Sequence, residues 1–231
     1  TWNDITDRKI DGAVERTRSR PIPSGRVTVT QAIIWMILQA GVAALILFSY
    51  NVQAIILGFA SLALVAIYPF AKRFTWWPQA FLGLAFNWGA LMIYVAHSGV
   101  LRLEAVLLYV AGIIWTLFYD TIYAHQDRED DALIGVKSTA RLFADRTPTW
   151  LFAFSILSAI LLGVATYLAC AERGVFSTLI AMLAMPAFWM HLRWQMNRFD
   201  ENDPVRLMLL FRSNRDAGLI VVLFFAIAAM L

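Results

Sequence analysis

Residues 119–140 read YDTIYAHQDREDDALIGVKSTA and follow directly on a long apolar run. Within this stretch stand Asp120, Asp127, Glu129, Asp130 and Asp131. Each residue of a helix turns by about 100°, which puts Asp120, Asp127 and Asp131 within roughly 40° of one another. Like charges at i,i+4 destabilise a helix, so the stripe asks for a cation between them. Carboxylates and water suit Mg²⁺, a hard ion that commonly also takes oxygens from a substrate phosphate. Taken alone, the run reads equally well as a solvated acidic loop.

A second run shifts that balance. Residues 3–11 read NDITDRKID. Asn3, Asp7 and Asp11 are spaced i, i+4, i+8 and share a face about 80° wide if the segment is helical. Two acidic faces, far apart in sequence, can then close around one or two metal ions.

The surroundings are apolar. Of 231 residues 60% are hydrophobic and only 15% charged, where a soluble domain carries about a quarter; mean hydropathy is +0.65. Apolar runs of membrane-spanning length recur at 27–50, 54–70, 78–96, 103–119, 149–169, 175–192 and 217–231. The expected fold is therefore an all-α, polytopic transmembrane helical bundle with seven full spans, the last of them short. Asn87 interrupts the third span and serves best as an interhelical hydrogen-bond partner. Pro186 should kink the sixth. No cleavable signal peptide is visible, and the single cysteine, Cys170, rules out an intramolecular disulfide framework.

Basic residues sort by alternate loops. Residues 1–27, 71–77, 120–148 and 193–216 hold 17 of the 19 lysines and arginines; the other connections hold only Arg102 and Arg173. The positive-inside rule then places both acidic runs at one mouth of the bundle, on the cytoplasmic or matrix face. The net charge of +3 is thus a mark of topology and not of nucleic-acid binding.

At that mouth the carboxylates would hold Mg²⁺ bridging a diphosphate. Arg16 and Arg20, four residues apart, would clasp the phosphates, with Lys9 and Lys137 as further candidates. An apolar, aromatic-walled interior beneath suits a long hydrocarbon tail and would stabilise an allylic carbocation while excluding water. His97, His125 and His191 fall away from the acidic stripe, and a carboxylate–phosphate metal site does not need imidazole.

NDITDRKID with RTRSRPIPSG, then YPFAKR (68–73), FNWGA (86–90) and YDTIYAHQDREDDALIGVKSTA together resemble the UbiA family of intramembrane aromatic prenyltransferases. The resemblance runs from Thr1 to about Gly218. YPFAKR, FNWGA and YAHQDREDD favour its hydroxybenzoate branch. It implies Mg²⁺-dependent transfer of a polyprenyl group from polyprenyl diphosphate to the ring carbon ortho to the hydroxyl of 4-hydroxybenzoate, in ubiquinone synthesis. The setting would be the bacterial or mitochondrial inner membrane. By motif, Asn3, Asp7 and Asp11 would line one half of the Mg²⁺–diphosphate site, and Asp127 and Asp131 the other. Asp120 would stand beside them, orienting or deprotonating the acceptor phenol, and these last three are the catalytic candidates. Arg16 and Arg20 would hold the diphosphate, and Lys72 and Arg73 are candidate anchors for the acceptor's carboxylate. Family members have nine transmembrane helices, with the first acidic motif ending the second. Residues 1–231 would thus be a single domain lacking its first helix and most of its second, and would be inactive as they stand. Other acceptors (homogentisate, dihydroxynaphthoate, haem, chlorophyllide) and, from a different class, a transporter with an acidic gate are the alternatives.

Overall fold

The computed structural model describes residues 1–231, all helix and turn with no strand. Short α1 (Trp2–Ala13) lies at one end and leads through turns into α2 (Val29–Leu47), which starts with a reciprocal cap between Thr28 and Gln31. Next come α3 (Val52–Ile67), a 3₁₀ turn (Tyr68–Phe70) and α4 (Ala71–Phe74). The third crossing is broken into α5 (Pro78–Phe86) and α6 (Trp88–Ser98). Then follow α7 (Leu103–Ala124), a 3₁₀ turn (His125–Asp127), α8 (Arg128–Leu133), α9 (Thr139–Phe143) and α10 (Thr147–Cys170). The chain closes with α11 (Val175–Met182), α12 (Ala184–Met196) and α13 (Pro204–Ala229).

Six segments are long and apolar enough to cross a membrane: Val29–Leu47, Val52–Phe74, Pro78–Ser98, Leu103–Leu133, Thr139–Cys170 and Val175–Met196. The seventh expected span is corrected by this. Residues 217–231 are the end of α13, whose last eighteen residues include Arg212, Arg215 and Asp216. The helix still runs the length of the bundle, from the turn holding Glu201 at one end to Ala228 at the other, whose carbonyl accepts from the Ser177 hydroxyl at 2.7 Å.

The breaks within spans have local causes. Asn87 turns its amide inward, donating to the Gly83 carbonyl (2.9 Å) and across to Thr116 Oγ1 on α7 (2.9 Å). Gly112 makes room for it, since a Cβ there would stand 2.4 Å from Asn87 Oδ1. The sixth crossing divides at Leu183, just ahead of Pro186, whose ring denies the helix a hydrogen bond and crowds the preceding turn.

The centre of the bundle is the α7–α10 pair, with α5, α12 and α13 around it. Between helices in lipid, close packing replaces water exclusion as the driving force, and small residues permit it. The buried face of α10 accordingly carries Ser155, Ser158, Ala159, Gly163, Ala165 and Thr166. Phe118, Ile122, Leu151, Leu192, Leu207 and Leu210 fill the seam. Large apolar side chains stay exposed on the outer faces, and α2 buries only Ala32, as suits helices bathed in lipid.

Ion pairs and hydrogen bonds gather the segments at 1–26, 72–74, 127–137 and 201 at one end. At the other end a cavity of about 230 Å³ is walled by alanines with Tyr94, Glu104 and Arg173. The alternation of basic loops therefore sorts the two ends as the sequence implies.

Candidate active site

Helix α1 keeps the expected register: Asp7 and Asp11 lie on its buried face, 1% and 6% exposed. A charge can sit there only with a partner. Asp7 receives Lys72 Nζ at 2.7 Å and Arg73 Nη2 at 3.4 Å, and Arg73 also donates to the Thr6 carbonyl (3.0 Å). Asp11 receives Arg20 Nη1 at 3.0 Å. Burial still raises the Asp11 carboxyl above its ordinary value, the facing Arg20 only partly offsetting the lost solvation. Asp4 faces Arg20 at 3.9 Å and lies outside the cleft.

The second acidic run does not follow one helical ridge, which corrects the stripe drawn over 120–131. Helix α7 ends at Ala124, a 3₁₀ turn spans His125–Asp127, and α8 starts afresh. Asp120, Asp127 and Asp131 still line one cleft, together with Asn3, Asp11, Arg16, Arg20, Tyr68, Lys72, Gln79, Tyr123, Lys137 and Ser138, in a volume of about 190 Å³. Arg16 joins the two halves. Its guanidinium grips Asp127 with two nitrogens, Nε to Oδ1 at 2.7 Å and Nη2 to Oδ2, and donates to Tyr123 OH at 2.8 Å. Its own deprotonation is pushed still further up by the bond to Asp127. Lys137 reaches the cleft because its backbone N–H is tied to the Lys72 carbonyl (3.1 Å) and its Nζ to the Phe74 carbonyl (3.3 Å).

Four carboxylates (Asp11, Asp120, Asp127, Asp131) thus face four cations (Arg16, Arg20, Lys72, Lys137) across one cleft. Asp120 and Asp131 have no ion pair; the other two are engaged by arginines. No three acidic or histidine side chains converge on a point, and Asp7 and Arg73 stand behind Lys72, outside the lining. The donor set still suits Mg²⁺, which needs only one or two carboxylates when phosphate and water complete its shell.

Several side chains of the site went unread in the sequence. Tyr123 lies one turn after Asp120 and one before Asp127, a spacing that would have found it. Gln79, 5% exposed beneath the cleft, accepts from the Thr139 N–H at 3.2 Å, and its signal is a polar residue just inside an apolar span. An aromatic column runs inward from the mouth: Tyr123 on Phe211 (4.4 Å), Phe211 on Tyr119 (5.8 Å), Tyr119 on Trp115 (5.8 Å), Trp115 on Phe188 (5.2 Å). His125 turns away into the packing, against Thr147 and Phe199.

Fold and cleft together define a polytopic helical membrane protein with a polar site of carboxyl and basic side chains at one mouth of an apolar bundle. The chain belongs to the UbiA prenyltransferase family, whose model matches residues 1–215. It is 44% identical over 225 residues to the mitochondrial 4-hydroxybenzoate polyprenyltransferase of Aedes aegypti, an alignment covering 96% of this chain and 49% of that relative. The chain spans about half the length of the curated relatives it matches. Among solved structures it is similar to an apo UbiA homolog from Aeropyrum pernix K1 (TM-score 0.71, 25% identity, 100% of this chain and 83% of that one). It also shares its fold with a UbiA homolog from Archaeoglobus fulgidus bound to DMAPP and Mg²⁺ (TM-score 0.69, 17% identity, 100% and 82%).

Proposed function

We propose that this chain carries the active centre of a Mg²⁺-dependent enzyme that transfers a polyprenyl group from polyprenyl diphosphate to 4-hydroxybenzoate, at the carbon ortho to the hydroxyl, for ubiquinone synthesis. The observation that carries the reading is the cleft itself, where four aspartate carboxyls and four basic side chains line one cavity at the end of an apolar bundle. Basic groups suit a polyanion and carboxyl oxygens suit a divalent cation, so the two ligands together use both sets of side chains. The carboxylates and the basic groups can each then trade a protein partner for a ligand. The Archaeoglobus homolog's bound DMAPP and Mg²⁺, and the activity named for the Aedes relative, support the same choice.

In this reading Arg16, Arg20 and Lys137 hold the diphosphate, and Asn3, Asp11, Asp127 and Asp131 are the oxygen donors for metal, while Asp7, outside the cleft lining, holds Lys72 in place. Mg²⁺, when bound, supplies charge that stabilises the departing diphosphate. The allylic C–O bond breaks with its electron pair leaving on the diphosphate. The ring carbon ortho to the phenol attacks the resulting cation, and the ring then loses a proton to regain aromaticity. Asp120 orients the phenol or takes its proton. Tyr68 and Tyr123 are the rings that line the cleft and stand where a cation would form, with the rest of the aromatic column packed behind Tyr123. Lys72 is the better anchor for the acceptor carboxylate, because it lines the cleft and Arg73 does not. The acidic mouth faces the matrix or cytoplasm, a placement supported by the 17 basic residues gathered there.

The test uses membranes containing the full-length protein, labelled 4-hydroxybenzoate and a polyprenyl diphosphate. Label should pass into the organic phase only with Mg²⁺, and Asp127→Ala should abolish the transfer. No transfer, with Mg²⁺-dependent diphosphate binding intact, would move the reading to another acceptor.

A further inference from the structure

Three residues at the α7–α8 junction, His125, Asp127 and Arg128, leave the backbone toward three different parts of the protein. Asp127 goes to Arg16 near the N-terminus. Arg128 goes to Glu201, in the 197–203 turn between α12 and α13, with Nη1 to Oε2 at 2.8 Å. His125 goes inward, its side chain fully buried, with Nε2 3.2 Å from Thr147 Oγ1 at the start of α10 and its ring edge-on to Phe199 at 5.2 Å. The Thr147 hydroxyl spends its proton on the Ala144 carbonyl (2.7 Å), so it accepts from the imidazole. The ring proton is therefore on Nε2, and Nδ1 keeps a lone pair with no partner, 3.7 Å from Glu201 Oε2. Histidine gives Glu201 nothing in this tautomer; Arg128 is its donor.

Helix α8 buries none of its residues. Its far end is tied by Arg141 Nη1 to the Asp131 carbonyl (3.3 Å), and its near end is set by what grips the junction from outside. Asp127 is held by Arg16, a group that must be free to turn toward phosphate. Glu201 holds the next residue and does not line the cleft. We propose that Glu201 is a positioning residue of the diphosphate site: through Arg128 it fixes the turn that aims Asp127 and Asp131 into the cleft. This rests on the diphosphate reading above. Both partners of the pair are about one-third exposed, and pairs of that kind add little to stability. The contribution of Glu201 therefore appears in ligand affinity. Partners standing behind the groups that hold a metal typically change affinity or activity by about 10–100-fold when lost.

The experiment measures Mg²⁺-dependent binding of a prenyl thiodiphosphate by calorimetry on the purified full-length protein, alongside KM, kcat and the thermal midpoint. Glu201→Gln, nearly isosteric, should weaken binding and raise the prenyl diphosphate KM by roughly tenfold, with kcat and the midpoint little changed. Asp200→Asn breaks only the neighbouring surface pair with Arg206 and should bind as the unmodified protein does. Arg128→Glu should resemble Glu201→Gln, and the double charge reversal Arg128→Glu with Glu201→Arg should recover most of the loss. The proposal is overturned if Glu201→Gln binds normally, if Asp200→Asn is equally impaired, or if the reversal is no better than its single parent. Absence of Mg²⁺-dependent binding in the unmodified protein is a different failure: it would overturn the diphosphate reading itself, and this inference with it.

Discussion

The two acidic segments are close in composition and opposite in construction. In the first, Asn3, Asp7 and Asp11 ride one unbroken helix, and both aspartates are buried and paired with Lys72, Arg73 and Arg20. In the second, a 3₁₀ turn separates Asp120 from Asp131, α8 buries nothing, and Asp131 has no ion pair. One half of the cleft is therefore built as a seat, held by the packing that buries it. The other half is held from outside, by Arg16 on one residue and Glu201 on the next. Two surfaces that must close on a ligand of variable bulk need at least one that can adjust.

The largest expected effect tests the fixed member of the second half. Asp120 stands one turn before the end of α7 and faces the cleft without an ion pair. Asp120→Asn should keep Mg²⁺-dependent diphosphate binding and lower kcat by about 10²–10⁴-fold, the range for loss of a positioned acid or base. Equal loss of binding and turnover would assign Asp120 to ligand binding instead. A middle-sized effect separates seat from adjustable half. Asp7→Ala leaves Lys72 and Arg73 without their shared carboxylate under α1 and should destabilise the protein by about 2 kcal/mol. That is less than the roughly 3–5 kcal/mol of a fully buried pair, because both cations keep partial exposure. Asp127→Ala should leave the thermal midpoint close to normal while removing activity. If the two variants melt alike, the contrast between the halves is wrong.

How far the sequence carried these features depends on the physics behind each. Apolar run lengths and the distribution of arginines sufficed for the bundle and its charged mouth, because both are dictated by lipid. The register of α1 followed from spacing, since nothing interrupts its hydrogen bonds. Asn87 and Pro186 marked real breaks because each disturbs a helix through its own side chain. The break at His125–Asp127 has no such marker: AHQDRE holds neither proline nor glycine. It coincides with the drawing of His125 into contacts with Thr147 and Phe199, which only the tertiary fold supplies. The partners of the carboxylates were hidden for a related reason. Arg16 meets Asp127, and Lys72 meets Asp7, across sequence distances that no periodicity encodes. Glu201 gave no signal at all, sitting in a polar turn among other charges.

The smallest effect concerns how much stability the seat gives up for its charge. Asp11 has its carboxyl raised from the ordinary 3.8, burial outweighing the attraction of Arg20. With the folded value above the unfolded one, the folded protein binds the proton more tightly. Stability is then greatest at low pH, where both states are protonated, and falls as pH rises from about 3.8 through the raised value. At neutral pH the ionised Asp11 is a net cost to the fold. Asp11→Asn should therefore flatten the pH dependence of the thermal midpoint over that window and leave the neutral-pH midpoint equal or slightly higher. Mg²⁺-dependent diphosphate binding should weaken in the same variant. A midpoint that drops at neutral pH would mean that the Arg20 bond outweighs desolvation, making Asp11 a structural ion pair. An unchanged or raised midpoint with weakened binding would identify a charge kept in place against the interest of the fold, which is the expected signature of a residue retained for its ligand.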